Sequence, residues 1–167
     1  MNRFIALILI PLTLISFCFC AKNENTSCRE ILSAITECEA GMPAGRIYSM
    51  KADAGDREFL SDSLLSALYG DGGMPPAAEG WLDCAIFLSS PTHVCELAVF
   101  LCDSPDTATD TARMLCQRLD VIRVAKGDGK YAFYLDSATV TVMRNYVLFV
   151  ISSDSENAIR VASKIIR

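Results

Sequence analysis

Two apolar runs with a strand-like period of two dominate this chain, one from Trp81 to Cys102 and one from Ala138 to Ser152. Each breaks once at a turn and then gives way to a helix start. In the first, Leu82, Cys84, Ile86 and Leu88 alternate with Asp83, Ala85 and Phe87. A second strand, Val94–Cys102, follows across Ser89-Ser90-Pro91-Thr92-His93, which fits a hairpin connection. In the second run, Ala138–Met143 and Tyr146–Ser152 meet at Arg144-Asn145, close enough for a two-residue hairpin.

Helical spacing surrounds these hairpins. Ser27 followed by Glu30 has the pattern of a capping box, and Ile31, Ile35 and Cys38 then recur at helical intervals until Gly41 and Pro43. A second helix is expected over 57–69, with Leu60, Leu64, Ala67 and Leu68 on one face, stopped by Gly70, Gly72, Gly73, Pro75 and Pro76. Ser104 and Pro105 open a third, buried through Ala108, Ala112, Leu115 and Leu119. Ser153 and Glu156 suggest a capping box for the last, whose apolar face is Ala158, Ile159, Ala162, Ile165 and Ile166. Residues 44–56 read as a loop carrying at most a short strand at Ile47–Met50, and residues 126–135 as an aromatic-bearing connection. The order helix, helix, strand, strand, helix, strand, strand, helix (ααββαββα) predicts an α+β two-layer sandwich: a four-stranded, mainly antiparallel sheet with helices on one face.

The N-terminus stands apart from this pattern. Arg3 precedes an apolar stretch from Phe4 to Ala21, which ends at the polar run Lys22-Asn23-Glu24-Asn25. A charged start and an apolar core of that length read as a signal sequence over residues 1–20, with 21–26 as a polar tether and 27–167 as one domain. A membrane-spanning anchor is the alternative, since about 17 to 25 apolar residues cross a bilayer. Cys18 and Cys20 at the end of the stretch point to lipidation of one of them, which makes the chain an exported lipoprotein held to the membrane through its N-terminus. Phe17 precedes Cys18 and Phe19 precedes Cys20, where a small residue suits a lipoprotein signal better. Ordinary cleavage after Cys20, giving a secreted protein, is the other reading.

Removing residues 1–20 takes one cation, Arg3, from the 15 Lys and Arg that stand against 20 Asp and Glu, leaving a net charge of −6. An acidic domain without a basic stripe is a poor partner for nucleic acid or for an anionic bilayer. Membrane association is therefore expected from the N-terminus alone.

Six cysteines follow the signal: Cys28, Cys38, Cys84, Cys95, Cys102 and Cys116. Cys28 and Cys38 lie on one predicted helix, about 15 Å apart along its axis, too far for a disulfide. The others sit within apolar periods, where a cysteine packs as a small hydrophobe, so reduced structural thiols are expected. None shows the C-x-x-C spacing of a zinc site. His93 is the chain's one histidine, and although Cys95 lies two residues on, a thiol nucleophile and its base normally come from separate segments.

Asp103, Asp106 and Asp110 suit the positive end of a helix better than a calcium loop. Lys126-Gly127-Asp128-Gly129-Lys130 lacks the full spacing of a phosphate loop and reads as a turn. Tyr131, Phe133 and Tyr134 read as rings packed on the sheet, with a ligand or partner groove as the alternative. No residue is assigned a catalytic, cofactor or metal role.

One pair of charges does stand out. Glu96 shares a strand face with Val94, Ala98, Phe100 and Cys102, and Arg118 lies one residue before the helical stripe position Leu119. A lone carboxylate between sheet and helix is costly to desolvate, so a structural Glu96–Arg118 ion pair is expected. An acid or base role for Glu96 in a cleft is the functional alternative.

The segments Trp81-Leu-Asp-Cys-Ala-Ile-Phe, Glu96-Leu-Ala-Val-Phe, Arg118 and Asn145-Tyr146-Val147-Leu148-Phe149-Val150-Ile151-Ser152 together resemble domain-of-unknown-function family 4358. The resemblance spans most of the chain from Ser27 onward. It implies a small exported bacterial protein, frequently a lipoprotein, and no activity. The chain departs from the family pattern in having Arg144 where a glycine usually precedes Asn-Tyr, and a cysteine in the third helix. The expected role is a non-enzymatic envelope module that docks an exported protein partner or a ligand. The alternative is an extracytoplasmic enzyme using carboxylate or thiol chemistry.

Overall fold

The computed structural model describes residues 26–70, 76–127 and 129–166. The signal sequence over 1–20, Cys18 and Cys20, the tether up to residue 25, Gly72, Gly73, Pro75 and Asp128 lie outside the described residues. Among those described, five strands and five helices make an α+β fold around one open antiparallel sheet.

The two apolar runs form the predicted hairpins. The first gives β2 (Trp81–Ser89) and β3 (Glu96–Cys102), and the second gives β4 (Thr139–Met143) and β5 (Tyr146–Ile151). A further strand, β1 (Gly45–Ser49), makes the sheet five-stranded rather than four, in the order β1-β2-β3-β5-β4. It forms because Ile47 and Tyr48 pair antiparallel with Phe87 and Ile86. Gly45 is required there, since a Cβ would run into the Phe87 ring and the Leu88 carbonyl. Residues that read locally as loop become a strand when a partner edge is present.

Helices cover both faces of the sheet, not one. On one face α1 (Cys28–Cys38) and α5 (Ser155–Ile165) pack Ile31, Leu32, Ile35, Ala158 and Ala162 onto Phe87, Leu97, Val99, Leu148 and Val150. On the other, α2 (Asp62–Tyr69), α3 (Pro105–Lys126) and α4 (Ala132–Asp136) cover Ile86, Phe100, Val147, Phe149 and Ile151. Every residue of β3 and β5 is buried as a result. Fully burying a side chain of this size contributes about 1.5–3 kcal/mol, so each face forms a core of its own.

The caps explain the helix boundaries. Ser27 and Glu30 form the capping box, with both reciprocal bonds at 3.2 Å. Ser104 accepts from Thr107 N ahead of Pro105, as the sequence suggests. The second helix starts later than expected, because Ser61 is its N-cap and residues 58–60 run extended beside β1 through Ser49 N–Glu58 O (2.8 Å) and Leu60 N–Ser49 O (3.1 Å). The last helix is capped by Asp154, whose Oδ1 accepts from Asn157 N at 3.0 Å, rather than by Ser153. Ser153 instead donates to Glu39 Oε1 at 3.0 Å.

Two buried carboxylates hold α1. Asp83 on β2 accepts from Cys28 N at 2.8 Å at the start of the helix and lies 3.4 Å from Lys51 Nζ. Glu39, at the helix end, also accepts from Asp154 N at 3.3 Å, placing its charge at the positive N-terminus of α5.

Candidate functional site

Glu96 opens β3, where it pairs with Leu88 near the end of β2 and with Ile151 at the end of β5. Its side chain lies on the face covered by α2 and α3. The structure brings Glu96 and Arg118 together in a two-point ion pair, Arg118 Nη2 donating to Oε2 at 2.9 Å and Nε to Oε1 at 3.4 Å. Tyr69, the last residue of α2, donates its hydroxyl to Oε1 at 3.2 Å. The Glu96 side chain is 6% exposed and that of Arg118 21%, so the carboxylate is buried while the guanidinium reaches the surface. Burial, and then the adjacent Glu96 charge, hold the Tyr69 hydroxyl well above its usual pKa and keep it a donor.

Above this pair a cleft of about 260 Å³ opens between the β2–β3 turn and α3. Val94, Val121, Ile122 and Ala125 supply apolar wall, while His93, Arg118 and Lys126 supply nitrogen. A second hollow, about 460 Å³, lies on the other side of Arg118 and Val121, towards Leu68, Tyr69 and Met114. Tyr131 fastens the mouth by donating to Thr92 O at 2.8 Å, and Lys130 and Lys126 lie over its ring at 4.7 and 5.7 Å. This aromatic segment is helical, a 3-10 turn over Gly129–Tyr131 running into α4, rather than an irregular connection. Tyr134 packs partly on the core and Phe133 is exposed.

His93 and Cys95 are not a catalytic pair. His93 is exposed in the turn, whereas Cys95 belongs to the opposite core, with its thiol bonded to Met42 Sδ at 3.5 Å. Burial, with smaller contributions from Glu39 and Glu96, pushes the Cys95 thiol up to about 12. Cys28, Cys84 and Cys102 are buried and likewise raised, first by desolvation. Thiols so placed are protonated at neutral pH and are poor nucleophiles. Cys38 and Cys116 are exposed, and all six described cysteines are free thiols.

Asp103 accepts from Thr107 Oγ1 at 2.7 Å and Asp110 pairs with Arg113 at 2.6 Å, which are local helix contacts. Among the described residues no group of His, Cys, Asp and Glu is arranged to hold a metal ion. No helix of the described residues is long and apolar enough to cross a membrane.

Sequence reasoning missed Tyr69, Asp83 and Glu39. Tyr69 follows Leu65 by four residues, so helical spacing alone places it on the buried face. A scan against protein-family models, a search of curated proteins and a search of solved structures each return no match.

Proposed function

We propose that the chain is exported and held at the outer face of the cytoplasmic membrane by lipid on Cys18 or Cys20, and that residues 27–167 form a non-enzymatic binding module. The observation that carries this reading is the placement of the cleft relative to the chain's entry. Thr26 O accepts from Tyr146 OH at 2.8 Å, and Cys28 N is held by Asp83; Tyr146 and Asp83 both pair with Leu101, near the end of β3. The cleft lies at Glu96, the start of β3, about 17 Å further along the strand. The cleft is thus at the end of β3 away from the point where the chain enters the domain, an arrangement that would leave it open in a domain tethered through its N-terminus. The apolar stretch before Lys22, ending at Cys18 and Cys20, supports the anchor. The buried thiols and the fully engaged Glu96 support binding over chemistry.

Intact mass of the protein extracted from the membrane fraction tests the anchor. The expected result is a diacylglycerol-bearing Cys18 or Cys20 at the mature terminus. A free Ala21 terminus refutes lipidation.

A further inference from the structure

The cleft at Glu96 and Arg118 differs in charge from the domain that carries it. The domain is acidic overall, with 20 Asp and Glu in the chain against 15 Lys and Arg. Among the described residues Glu96 is the one carboxylate lining the cleft; Arg118 balances its charge and Tyr69 donates to it, which leaves Lys126 as the uncompensated cation of that lining. Lys126 and His93 share that lining, and Lys130 joins Lys126 around Tyr131 at the mouth. Arg118 directs its Nε and Nη2 to Glu96, and its Nη1 donors have no protein partner among the described residues. Val121, Ile122 and Ala125 lie between Arg118 and Lys126 on the same face of α3, and Val94 comes from the start of the neighbouring strand segment. Val121 is 60% exposed, an apolar side chain left open at the cleft wall.

From this we infer that the cleft binds a small amphipathic carboxylate, its anionic head at Lys126 and Arg118 and a short apolar tail against Val121 and Ile122. The assignment rests on the binding-module reading and names its ligand class. Charge complementarity selects the head: an ammonium group would meet the uncompensated Lys126 with like charge, whereas a carboxylate gains that attraction and can also accept from the free Nη1 of Arg118. The apolar wall selects the tail, since a bare anion would leave Val121 uncovered. The volume of about 260 Å³ sets the size, enough for a short-chain acid and too little for a folded partner segment. Arg118 also explains why the site is formed in advance, because Glu96 and Tyr69 hold its guanidinium before any ligand arrives.

Hexanoate is the probe. The mature protein, labelled at valine and isoleucine methyl groups and carried in lipid nanodiscs, is titrated with hexanoate, acetate, hexylammonium and a short peptide ending in an apolar residue with a free carboxylate. Saturable methyl shifts at Val94, Val121 and Ile122 are expected with hexanoate, weaker binding with acetate, and no saturation at these methyls with hexylammonium. Lys126→Glu, an exposed change that leaves the Glu96 pair intact, is expected to weaken hexanoate by about tenfold, the loss of one attraction and the gain of one repulsion. Equal saturation by hexylammonium, an unchanged affinity in Lys126→Glu, or shifts confined to other methyls would overturn the inference. Tighter binding of the peptide than of hexanoate would overturn the small-molecule assignment. Intact mass on the same sample reports the anchor separately, so a protein that is lipidated but ignores hexanoate refutes the ligand class and leaves the tethered-module reading standing.

Discussion

Replacing Arg118 with methionine removes the guanidinium while keeping most of the aliphatic stem that packs beside Leu115 and Leu119 on α3. Glu96, 6% exposed, would then keep the Tyr69 hydroxyl as its one hydrogen-bond donor among the described residues. Breaking a fully buried pair by removing one partner typically costs about 3–5 kcal/mol. Arg118 is 21% exposed, which admits water to the carboxylate, so the expected loss is about 2–4 kcal/mol. Glu96→Gln should cost less, about 1–2 kcal/mol, because the freed guanidinium can turn to solvent and the amide oxygen still accepts from Tyr69. A coupling of about 1–3 kcal/mol is expected in the double-mutant cycle.

Glu96→Leu combined with Arg118→Met should recover part of the stability lost in Arg118→Met alone, since an apolar pair of similar volume often replaces a buried ion pair without penalty but here leaves the buried Tyr69 hydroxyl without its acceptor. Urea unfolding with an unchanged slope against denaturant measures the parent, the three proteins of the Glu96→Gln and Arg118→Met cycle and the apolar double mutant. Single effects under about 0.5 kcal/mol that add strictly would show that the pair does not join α3 to the sheet, and the argument from desolvation would be wrong.

Native thiol labelling at neutral pH should modify Cys38 and Cys116, and unfolding should release Cys28, Cys84, Cys95 and Cys102; no free thiols under either condition would indicate disulfides instead. The buried thiols also predict alkaline sensitivity. Unfolded cysteines lose their protons near pH about 8.5 while folded Cys95 holds its proton to about 12, so its contribution is complete below the lower value and declines by about 1.4 kcal/mol per pH unit between the two. A urea midpoint that stays flat from pH 8 to 10 would contradict this. Arg144 turns the β4–β5 hairpin with φ 55, in the left-handed region, and is exposed. Arg144→Gly should therefore raise stability by about 0.5–1 kcal/mol, whereas a lower melting temperature than the parent would refute strain at that turn.

The hairpins were legible because their information is local. A period of two, a tight turn at Arg144-Asn145 and capping residues at Ser27 and Ser104 can all be read within a few positions. β1 was harder to read because its pairing depends on Phe87 and Ile86, some 40 residues away in the chain, and on Gly45 fitting under a ring. The one-sided sheet was a misreading of a signal that was present. Glu-Leu-Ala-Val-Phe-Leu-Cys in β3 and Tyr-Val-Leu-Phe-Val-Ile in β5 are apolar at nearly every position, and a sheet with one wet face would alternate polar residues along both.

That misreading also accounts for which charges were found. Glu96 was found because a carboxylate at the head of an all-apolar strand has to be paired under any arrangement of helices, and Arg118 is the cation that helical phase brings to it. Asp83 drew no such argument, because on a half-solvated sheet a polar residue at an alternating position faces water and needs no partner. With α1 laid across that face, the same aspartate is 1% exposed and must be met by Cys28 N and Lys51, and Glu39 is buried against α5 for the same reason. Asp83 Oδ1 and Glu39 Oε2 are buried without a hydrogen-bond partner among the described residues, and Asp83 also lines a small hollow with Ser27, Arg29 and Lys51. Glu96 differs from both in having both of its carboxylate oxygens engaged. The carboxylate that local sequence could identify lies at a cleft because a charge placed where α3 meets the open end of the sheet marks its strand pattern and its surface alike.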